Sequence, residues 1–519
     1  MRPYIVLRVT RHSSLVTCHF NHQASITVIF LSEISGFFFS SYRDQLIENN
    51  AKFVPKCRFR NYWLRKKYLT KNLILIHCLM KFCDRSKELT KLRAIYDQSL
   101  SGAKMTVVVG RRRIGKTMLL LEATKGQATL YFFIARKSEV LLCQDFVAEI
   151  KQKLAYPLFG EITSFTEIFQ LLMELSKTRP FNVIVDEFQE FQHINPSVFS
   201  DMQHHWDINK NESKLNLFLC GSIFSMMHKI FENSKEPLFG RADNRIHLKP
   251  FQVSVLKQIL KENNPAFTPD DLLALYTFTG GVAKYVQLFV DNRALTLESM
   301  IDFMTEENSP FIQEGRSLLI EEFGKDYNIY FSILATISQG NNSRSQMENA
   351  LHQEIGGGYI TRLEKDYNII AKLRPLFSKS ETKNIKYVIS DNFLTFWFRF
   401  FYKYSHFIES GSLGELKRII LRDYPAFSGK MLERYFWDKE IEAGKSTLVG
   451  GYWDKKGNNE IDLIALNEID KTAMIAEIKC NPANYRPEKL SGKVTALKLS
   501  ESQLQSYQIE YKCLSLNDM

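Results

Sequence analysis

The segment MTVVVGRRRIGKT, residues 105–117, constrains the fold of this chain more than any other feature. It begins with a continuous β-strand pattern, and residues 110–117 then fit the spacing G-x-x-x-x-G-K-[ST]. A glycine-rich turn between a strand and a helix lets backbone N–H groups surround a phosphate at the helix N-terminus. The sequence therefore predicts an α/β domain with a phosphate-binding loop, followed by a helix over about residues 116–124.

The loop and the start of the following helix supply the candidate phosphate contacts. These are Gly110, Arg111, Arg112, Arg113, Ile114, Gly115, Lys116, Thr117 and Met118. Lys116 would reach the β- and γ-phosphates, and Thr117 would bind Mg²⁺. The three arginines could face phosphate or a partner protein, although a solvated loop is the default interpretation of such a run.

A second acidic motif, FNVIVDEFQEF, ends an apolar strand with Asp186 and Glu187. Asp186 at the strand end would hold Mg²⁺ through water, and Glu187 would orient and polarise the attacking water. A strand that merely ends in solvated acids is the alternative, but the spacing from the phosphate loop favours a nucleotide site. The two motifs together predict ATP and Mg²⁺ as cofactors, with Lys116 and Glu187 as catalytic residues.

Strand and helix patterns alternate between residues 105 and 251. The predicted strands are 105–109, 129–135, 181–187, 215–222 and 245–251. Apolar strands separated by helices indicate a parallel sheet covered on both faces. The eight cysteines form no CxxC pair and therefore predict reduced thiols and no zinc site.

The remaining patterns divide the chain into further domains. We expect a core over 80–251, a helical lid over 252–310, a winged helix over 311–404, a linker over 405–422 and a final domain over 423–519. The glycine pair at 280–281 would break the lid into two helices. The aromatic run DNFLTFWFRFFYKY at 391–404 is more typical of a buried helix than of a base-stacking surface.

The basic excess is concentrated at the start of the chain. Residues 1–79 hold 12 of the 68 Lys and Arg residues but only 3 of the 57 Asp and Glu residues, so most of the net charge of +11 lies there. The change of pattern at Met80 favours a biological start there, with a genuine basic extension as the alternative. No apolar segment is long enough to predict a membrane span, and a cytoplasmic location is expected.

Several motifs together resemble an archaeal and bacterial P-loop ATPase family that is related to the AAA+ and STAND ATPases. They include VVVGRRRIGKTMLL, VIVDEFQEF, FLCGSIFSMM, PLFGRADNRIHLKPF and GGVAKYV, and the resemblance covers residues 80–519. It implies the sheet order 5-1-4-3-2, a γ-phosphate sensor at Ser222, and a sensor or trans-acting arginine at Arg241. A trans-acting Arg241 would require a homo-oligomer. Lys284 stands where that pattern often has arginine, so a lid role for this side chain is in doubt.

The C-terminal part contains two apolar strand patterns, IDLIAL at 461–466 and AMIAEIK at 473–479. If residue 466 pairs with 473, residue 462 lies opposite 477, and Asp462 and Glu477 become cross-strand neighbours. Lys479 shares a strand face with Glu477 because the two are two residues apart. Two adjacent carboxylates are destabilising unless a cation offsets them, and Mg²⁺ is the simplest candidate.

This arrangement resembles the PD-(D/E)xK nuclease fold, in which an acidic helix precedes an aspartate and an E-x-K pair. The resemblance assigns metal binding to Asp462 and Glu477, catalysis to Lys479 and a supporting metal contact to Glu433. The alternative is an ordinary β-hairpin with charged ends, because Glu and Lys often alternate on exposed strands.

Two functional hypotheses follow. The first is a P-loop ATPase that couples nucleotide binding and hydrolysis to a nuclease-like domain acting on double-stranded or branched DNA. The second is an ATP-dependent conformational switch or scaffold whose last domain only binds a partner. The near-neutral charge of residues 80–519 favours the second, unless Arg344, Arg362, Lys365 and Lys372 form a local basic face.

Overall fold

The computed structural model of the protein describes residues 11–12, 15–20, 24–29 and 82–519. The first three ranges form a small antiparallel sheet with the order β1-β2-β3. Its strands are β1 (Arg11–His12), β2 (Leu15–Phe20) and β3 (Ala24–Ile29). The rest of the predicted basic extension, including the proposed start at Met80, lies outside the described residues.

Five parallel strands form the first large sheet. They are β4 (Lys104–Val109), β5 (Thr129–Phe133), β6 (Phe181–Asp186), β7 (Leu215–Gly221) and β8 (Asn244–His247). Their order across the sheet is β5-β6-β7-β4-β8. With the strand before the phosphate loop counted as strand 1, the order is 2-3-4-1-5, which confirms the predicted 5-1-4-3-2 arrangement read from the other edge.

Helices cover both faces of this sheet, which explains why its central strands are apolar along their length. The helices are α1 (Ser86–Ser99), α2 (Lys116–Ala123), α3 (Glu139–Leu154), α4 (Phe165–Thr178), α5 (Phe191–Ile194), α6 (Val198–Asn209) and α7 (Phe224–Glu232). Every residue of β6 and β7 is buried. Because the strands are parallel, their carboxyl ends meet at one edge and bring Gly110, Glu187 and Ser222 together.

The predicted lid region is helical, as expected. It contains α8 (Val253–Asn263), α9 (Pro269–Thr279), α10 (Ala283–Asp291) and α11 (Leu297–Met304), and α12 (Glu314–Phe323) follows. Thr268 and Asp271 form a capping box at the start of α9, and Pro269 occupies its first turn. The glycine pair separates α9 from α10, which confirms the predicted break.

Gly281 is required at this break, and its substitution by alanine is expected to lower the free energy of unfolding by about 3 kcal/mol. Its φ is +73°, and an added Cβ would lie 2.4 Å from the carbonyl oxygen of Phe251. Urea denaturation measures the effect. Gly492→Ala is the matched control, because an added Cβ there meets no atom within 4 Å. Equal stability of the Gly281→Ala variant and the unsubstituted protein would contradict the geometry.

Three helical segments and a hairpin follow the lid. They are α13 (Tyr327–Ser338), α14 (Arg344–Leu351), α15 (Gly357–Thr361), β9 (Ile370–Leu373) and β10 (Lys386–Ile389), with β9 and β10 antiparallel. This is the element order expected from the sequence, and the assignment as a winged helix stays a prediction. The aromatic run forms α16 (Asn392–Trp397) and a π-helical turn (Phe398–Tyr402). Its large side chains are mostly buried, which confirms the core interpretation.

The predicted linker at 405–422 is wrong. Residues of this range form α17 (Ser405–Glu409) and the beginning of α18 (Leu413–Ala443), a helix of 31 residues. Leu416, Ile420 and Tyr424 are buried on α18 and pack in the same hydrophobic core as the lid and the aromatic helix. The boundary expected at residue 423 is therefore also wrong, because α18 runs through it.

A mixed four-stranded sheet ends the chain. It contains β11 (Leu448–Trp453), β12 (Glu460–Asn467), β13 (Thr472–Ile478) and β14 (Gln508–Leu514), with α19 (Pro487–Ser500) before the last strand. The order is β11-β12-β13-β14, antiparallel except for the parallel pair β13 and β14. Leu466 pairs with Ala473, which confirms the predicted register. In the part of the chain that the structure describes, no helix is long and apolar enough to cross a membrane.

Candidate functional site

The phosphate loop connects β4 to α2 in a conformation that depends on its two glycines. A Cβ added at Gly110 would lie 2.7 Å from the carbonyl oxygen of Leu248, and Gly115 has a φ of +95°. Lys116 is buried inside the loop, and its Nζ donates to the carbonyl oxygens of Gly110 (2.8 Å) and Arg111 (3.1 Å). Desolvation lowers the pKa of Lys116 from its usual value. An ammonium group with only carbonyl partners is suited to exchange them for phosphate oxygens.

Thr117 and Asp186 lie together at the carboxyl edge of the sheet. The Thr117 hydroxyl donates to Asp186 Oδ2 at 2.6 Å, and Tyr131 donates to the same oxygen at 2.9 Å. These oxygen ligands suit Mg²⁺, which in nucleotide sites takes one or two carboxylates together with phosphates and waters. Thr117 and Asp186 would therefore hold the ion, and the structure brings these two candidate ligands into contact.

Glu187 is held by two neighbours, one of which the sequence interpretation missed. Its Oε2 accepts hydrogen bonds from the Ser222 hydroxyl at 2.7 Å and from Gln189 Nε2 at 2.5 Å. Arg112 Nε donates in turn to Ser222 Oγ at 3.2 Å. Gln189 fits because residue 221 is glycine: a Cβ there would lie 2.3 Å from Gln189 Oε1. Its position two residues after Glu187 was the available signal.

The default interpretation of the loop arginines as solvated is wrong. Arg111 forms an ion pair with the buried carboxylate of Asp391. Arg113 Nη1 lies 2.7 Å from Glu314 Oε2, and Glu314 also accepts a 2.6 Å hydrogen bond from Tyr285. These acids come from segments about 200 and 280 residues further along the chain, so no local pattern could reveal them. The phosphate loop is thereby connected to the lid and to the start of α16.

Arg241 does not lie beside its own phosphate loop. It precedes β8, and the neighbouring Asp243 contacts Met105 at the amino end of β4, opposite to the carboxyl edge. Arg241 Nη2 instead lies 3.1 Å from Asp207 Oδ2. A sensor role toward the nucleotide of the same chain does not fit this position, and the trans-acting role stays a prediction.

Lys284 contacts the phosphate loop through its backbone. Its amide donates to the carbonyl oxygen of Arg113 at 3.1 Å, whereas its Nζ donates to Gln287 at 3.3 Å on the exposed side of α10. A lid role for the Lys284 side chain therefore gains no support from these contacts.

The comparisons with known proteins agree with this geometry. Residues 82–289 match the model of an ATPase domain found predominantly in Archaea. This segment, which contains the phosphate loop and all five strands of the parallel sheet, is similar to P-loop ATPase domains. Residues 397–489 match the model of a family of archaeal and bacterial proteins of unknown function. That second range includes all of α18 and continues into the C-terminal sheet.

One relative and two solved structures illustrate the similarity. An uncharacterised protein of Methanocaldococcus jannaschii is 26% identical over 420 residues, which cover 79% of this chain and 89% of that protein. A Walker-type ATPase of Pyrococcus abyssi is 20% identical, with a TM-score of 0.48 over 61% of this chain and 96% of the other. The ORC2 protein of Aeropyrum pernix is 14% identical, with a TM-score of 0.42 over 65% and 95%.

Outside the ATPase domain, Asp462, Glu477 and Lys479 come together at one end of the C-terminal hairpin. Lys479 Nζ lies 3.1 Å from Glu477 Oε1 and 3.5 Å from Asp462 Oδ2. Asp462 Oδ2 also accepts the backbone N–H of Ile478 at 2.8 Å, just beyond the last paired residues of the ladder. The predicted convergence of two carboxylates and a lysine is present.

Glu477 has features that fit a cation. Its side chain is only 12% exposed, and its Oε2 has no hydrogen-bond partner among the described residues. A buried carboxylate oxygen without a partner is costly unless a further ligand satisfies it. In residues 82–519, however, there is no group of three or more His, Cys, Asp or Glu side chains that could hold a metal ion together. Asp462 and Glu477 would thus supply two protein ligands.

A second lysine contacts the same carboxylate. Lys493 Nζ, on α19, lies 3.8 Å from Glu477 Oε1. Lys493 could not be identified from the sequence. It lies on α19, and only the packing of this helix against the hairpin determines which of the helix's lysines faces Glu477. Two lysines beside a carboxylate pair give this site a net charge near zero.

Glu433 lies on α18 near this site, as predicted, and carries a perturbed carboxyl. Burial and the neighbouring carboxylate of Asp462 raise the pKa of Glu433 to about 8. The folded protein therefore binds this proton more tightly than the unfolded chain, in which a glutamate titrates near pH 4.3. The contribution to stability is complete below that pH and is lost as the pH rises through the folded pKa.

Without added metal, we expect the free energy of unfolding to fall by about 2 kcal/mol between pH 5 and pH 9. This fall is smaller than the full pKa shift would give, because the side chain is only half-buried and solvent screens part of the interaction. Glu433→Gln should remove this component. Urea denaturation in the presence of a chelator measures it. Glu415→Gln, on the exposed first turn of the same helix, is the control. An unchanged pH dependence in Glu433→Gln would refute the assignment.

Proposed function

We propose that this protein couples ATP binding and hydrolysis to a DNA-directed, metal-dependent nuclease-like domain at its C-terminal end. The observation that carries the nuclease component is the convergence of Asp462, Glu477 and Lys479, with one buried oxygen of Glu477 left without a partner. The preceding α18 supplies Glu433. This order of groups resembles the acidic helix, aspartate and E-x-K pair of PD-(D/E)xK nucleases.

In the ATPase domain, each candidate residue has a distinct role. Lys116 would exchange its two carbonyl partners for the β- and γ-phosphates. Thr117 and Asp186 would hold Mg²⁺, which would neutralise charge that develops on the phosphates. Glu187 would orient the attacking water after its carboxylate turns away from Gln189, while Ser222 would monitor the γ-phosphate.

In the C-terminal domain, Asp462 and Glu477 would hold a divalent cation. When bound, that ion would polarise the scissile phosphate and lower the pKa of a water molecule. Lys479 would stabilise the negative charge that develops on the phosphate, since its ammonium group lies within 3.5 Å of both carboxylates. Glu433 would be a further acceptor close to Asp462.

The second hypothesis, a switch or scaffold whose last domain binds a partner, is favoured by three observations. Lys479 and Lys493 already offset the charge of the two carboxylates, and no cluster of three metal-ligating side chains lies in residues 82–519. Three of the four residues that would form a local basic face are also paired: Arg344 with Glu348, Arg362 with Asp326, and Lys372 with Glu364. This pairing reduces the basic surface available for phosphate contacts.

One experiment separates the two hypotheses. The full chain is incubated with linear, supercoiled and branched DNA in the presence of Mg²⁺ or Mn²⁺, with and without ATP. The proposal expects metal-dependent cleavage whose rate changes when ATP is added. ATP turnover without cleavage of any DNA form would refute the nuclease component and favour the switch.

A further inference from the structure

We propose that Arg434 on α18 is a coupling residue that transmits the nucleotide state of the phosphate loop to the site formed by Asp462, Glu477 and Lys479. The inference rests on the proposed function for the role of that site, but the contacts that carry it belong to the fold. They form three consecutive steps, from the loop to the segment before α16, from that segment to α18, and from α18 to β12.

The first step joins the phosphate loop to the start of α16. Arg111 forms an ion pair with Asp391, whose side chain is only 5% exposed. The other oxygen of this carboxylate, Asp391 Oδ1, accepts the amide of Leu394 at 2.6 Å and caps α16. A bound nucleotide that attracts Arg111 toward phosphate would weaken its bond to Asp391. The loop and the beginning of α16 therefore cannot rearrange independently.

The second step joins the same segment to α18. Arg434 donates from Nη1 to the carbonyl oxygen of Ile389 at 2.9 Å and from Nη2 to that of Ser390. These are the two residues directly before Asp391. The guanidinium holds both carbonyls through separate nitrogens, a geometry that a lysine cannot reproduce. Residues 389–391 are thus held by Arg111 of the ATPase domain and by Arg434 of α18.

The third step joins α18 to the carboxylate site. Trp437, one helical turn after Arg434, donates from its indole nitrogen to the carbonyl oxygen of Asp462 at 2.8 Å. Glu433, directly before Arg434, lies close enough to Asp462 for that carboxylate to help raise the pKa of Glu433. Because one rigid helix carries all three side chains, a shift of Arg434 displaces Glu433 and Trp437 relative to Asp462.

The surroundings leave room for such a shift. A cavity of about 490 Å³ is lined by Arg111, Asp391 and Arg434, together with Ser222 next to the candidate water-orienting residue. Because this space is partly open to solvent and is not filled by close-packed side chains, the segment can adopt a second position in it without opening the core. Static packing would explain the individual hydrogen bonds equally well, but it predicts no response of the distant sheet to nucleotide.

Hydrogen–deuterium exchange of the full chain distinguishes the two explanations. Peptides that cover residues 460–480 are followed with and without a non-hydrolysable ATP analogue and Mg²⁺. We expect nucleotide to change their exchange rate at least about fivefold, which is the lower end of usual coupling between sites. Arg434→Gln should remove most of this change. Binding of a fluorescent ATP analogue, measured in parallel, reports whether the nucleotide site is intact.

Arg418→Gln is the matched control, because this arginine lies on the same helix, is 76% exposed and pairs only locally with Glu415. It should respond to nucleotide like the unsubstituted protein. If Arg434→Gln fails to fold, Arg434→Lys is used as the test variant. It keeps the charge but loses the contact through two separate nitrogens, and it should lose at least half of the exchange response to nucleotide. A full response in the folded Arg434 variant, or no response in the unsubstituted protein, would overturn the proposal. A response without any DNA cleavage would refute only the nuclease component.

Discussion

Substitution of Lys116 by alanine is expected to lower the ATP turnover of the full chain by about 100-fold or more, the usual effect of removing one preorganised charge from such a site. Lys116 is buried within the loop, and its Nζ lies 2.8 Å from the Gly110 carbonyl oxygen. Alanine supplies neither the charge nor the reach to contact a phosphate. Release of inorganic phosphate at saturating ATP and Mg²⁺ measures the change.

The control for this substitution is Lys125→Ala. Lys125 follows the same helix, is 75% exposed and pairs with Glu122, so its loss should leave turnover unchanged. A Lys116→Ala variant that hydrolyses ATP at the original rate would exclude the loop as the phosphate site. Reduced turnover in both variants would instead indicate a general effect on the stability of α2.

Much of the fold follows from local sequence patterns, because these patterns reflect local physical requirements. Strands β4 to β7 are short, mostly apolar runs bounded by turns, and the structure places each of them within a few residues of its predicted range. The hairpin register rested on the assumed pairing of residue 466 with residue 473, which the structure has; both faces of the two strands are buried, so apolar alternation alone does not determine it. Asp462 and Glu477 could thus be placed together from the sequence.

Other features could not be predicted, because they depend on contacts between distant segments. Asp391 and Glu314 neutralise loop arginines about 200 to 280 residues away, and neither acid lies in a recognisable motif. The linker prediction failed for a related reason. Residues 405–422 are polar enough to suggest a connection, yet Leu416 and Ile420 complete a core whose other members come from the lid and the aromatic helix.

The residues of the candidate sites also divide into those that a local motif predicts and those that depend on distant contacts. The motif predicted Lys116, Thr117 and Asp186, because phosphate chemistry requires them at fixed spacing. Gln189 and Arg434 were missed, since their roles depend on Gly221 in a neighbouring strand and on the carbonyls of a remote segment. Residues that position a site therefore need the structure, whereas residues that perform its chemistry can be identified from sequence.

Substitution of Lys479 by alanine is expected to lower metal-dependent DNA cleavage by about 100-fold without changing ATP turnover. Lys479 is the group that contacts both Asp462 and Glu477, and its loss leaves these carboxylates with weaker compensation. The variant should therefore also unfold at a lower temperature in the presence of a chelator, and added Mn²⁺ should restore part of that stability. Cleavage of a labelled duplex and thermal unfolding are measured on the same preparations.

Lys512→Ala is the matched control for this substitution. Lys512 forms the same E-x-K spacing with Glu510 on the adjacent strand β14, at 3.0 Å, but without an aspartate opposite. If E-x-K pairs are merely surface features of this sheet, the two substitutions should behave alike in both assays. A selective loss of cleavage and of metal-restored stability in Lys479→Ala would instead tie the chemistry to the Asp462–Glu477 register, because that register is what distinguishes the two lysines.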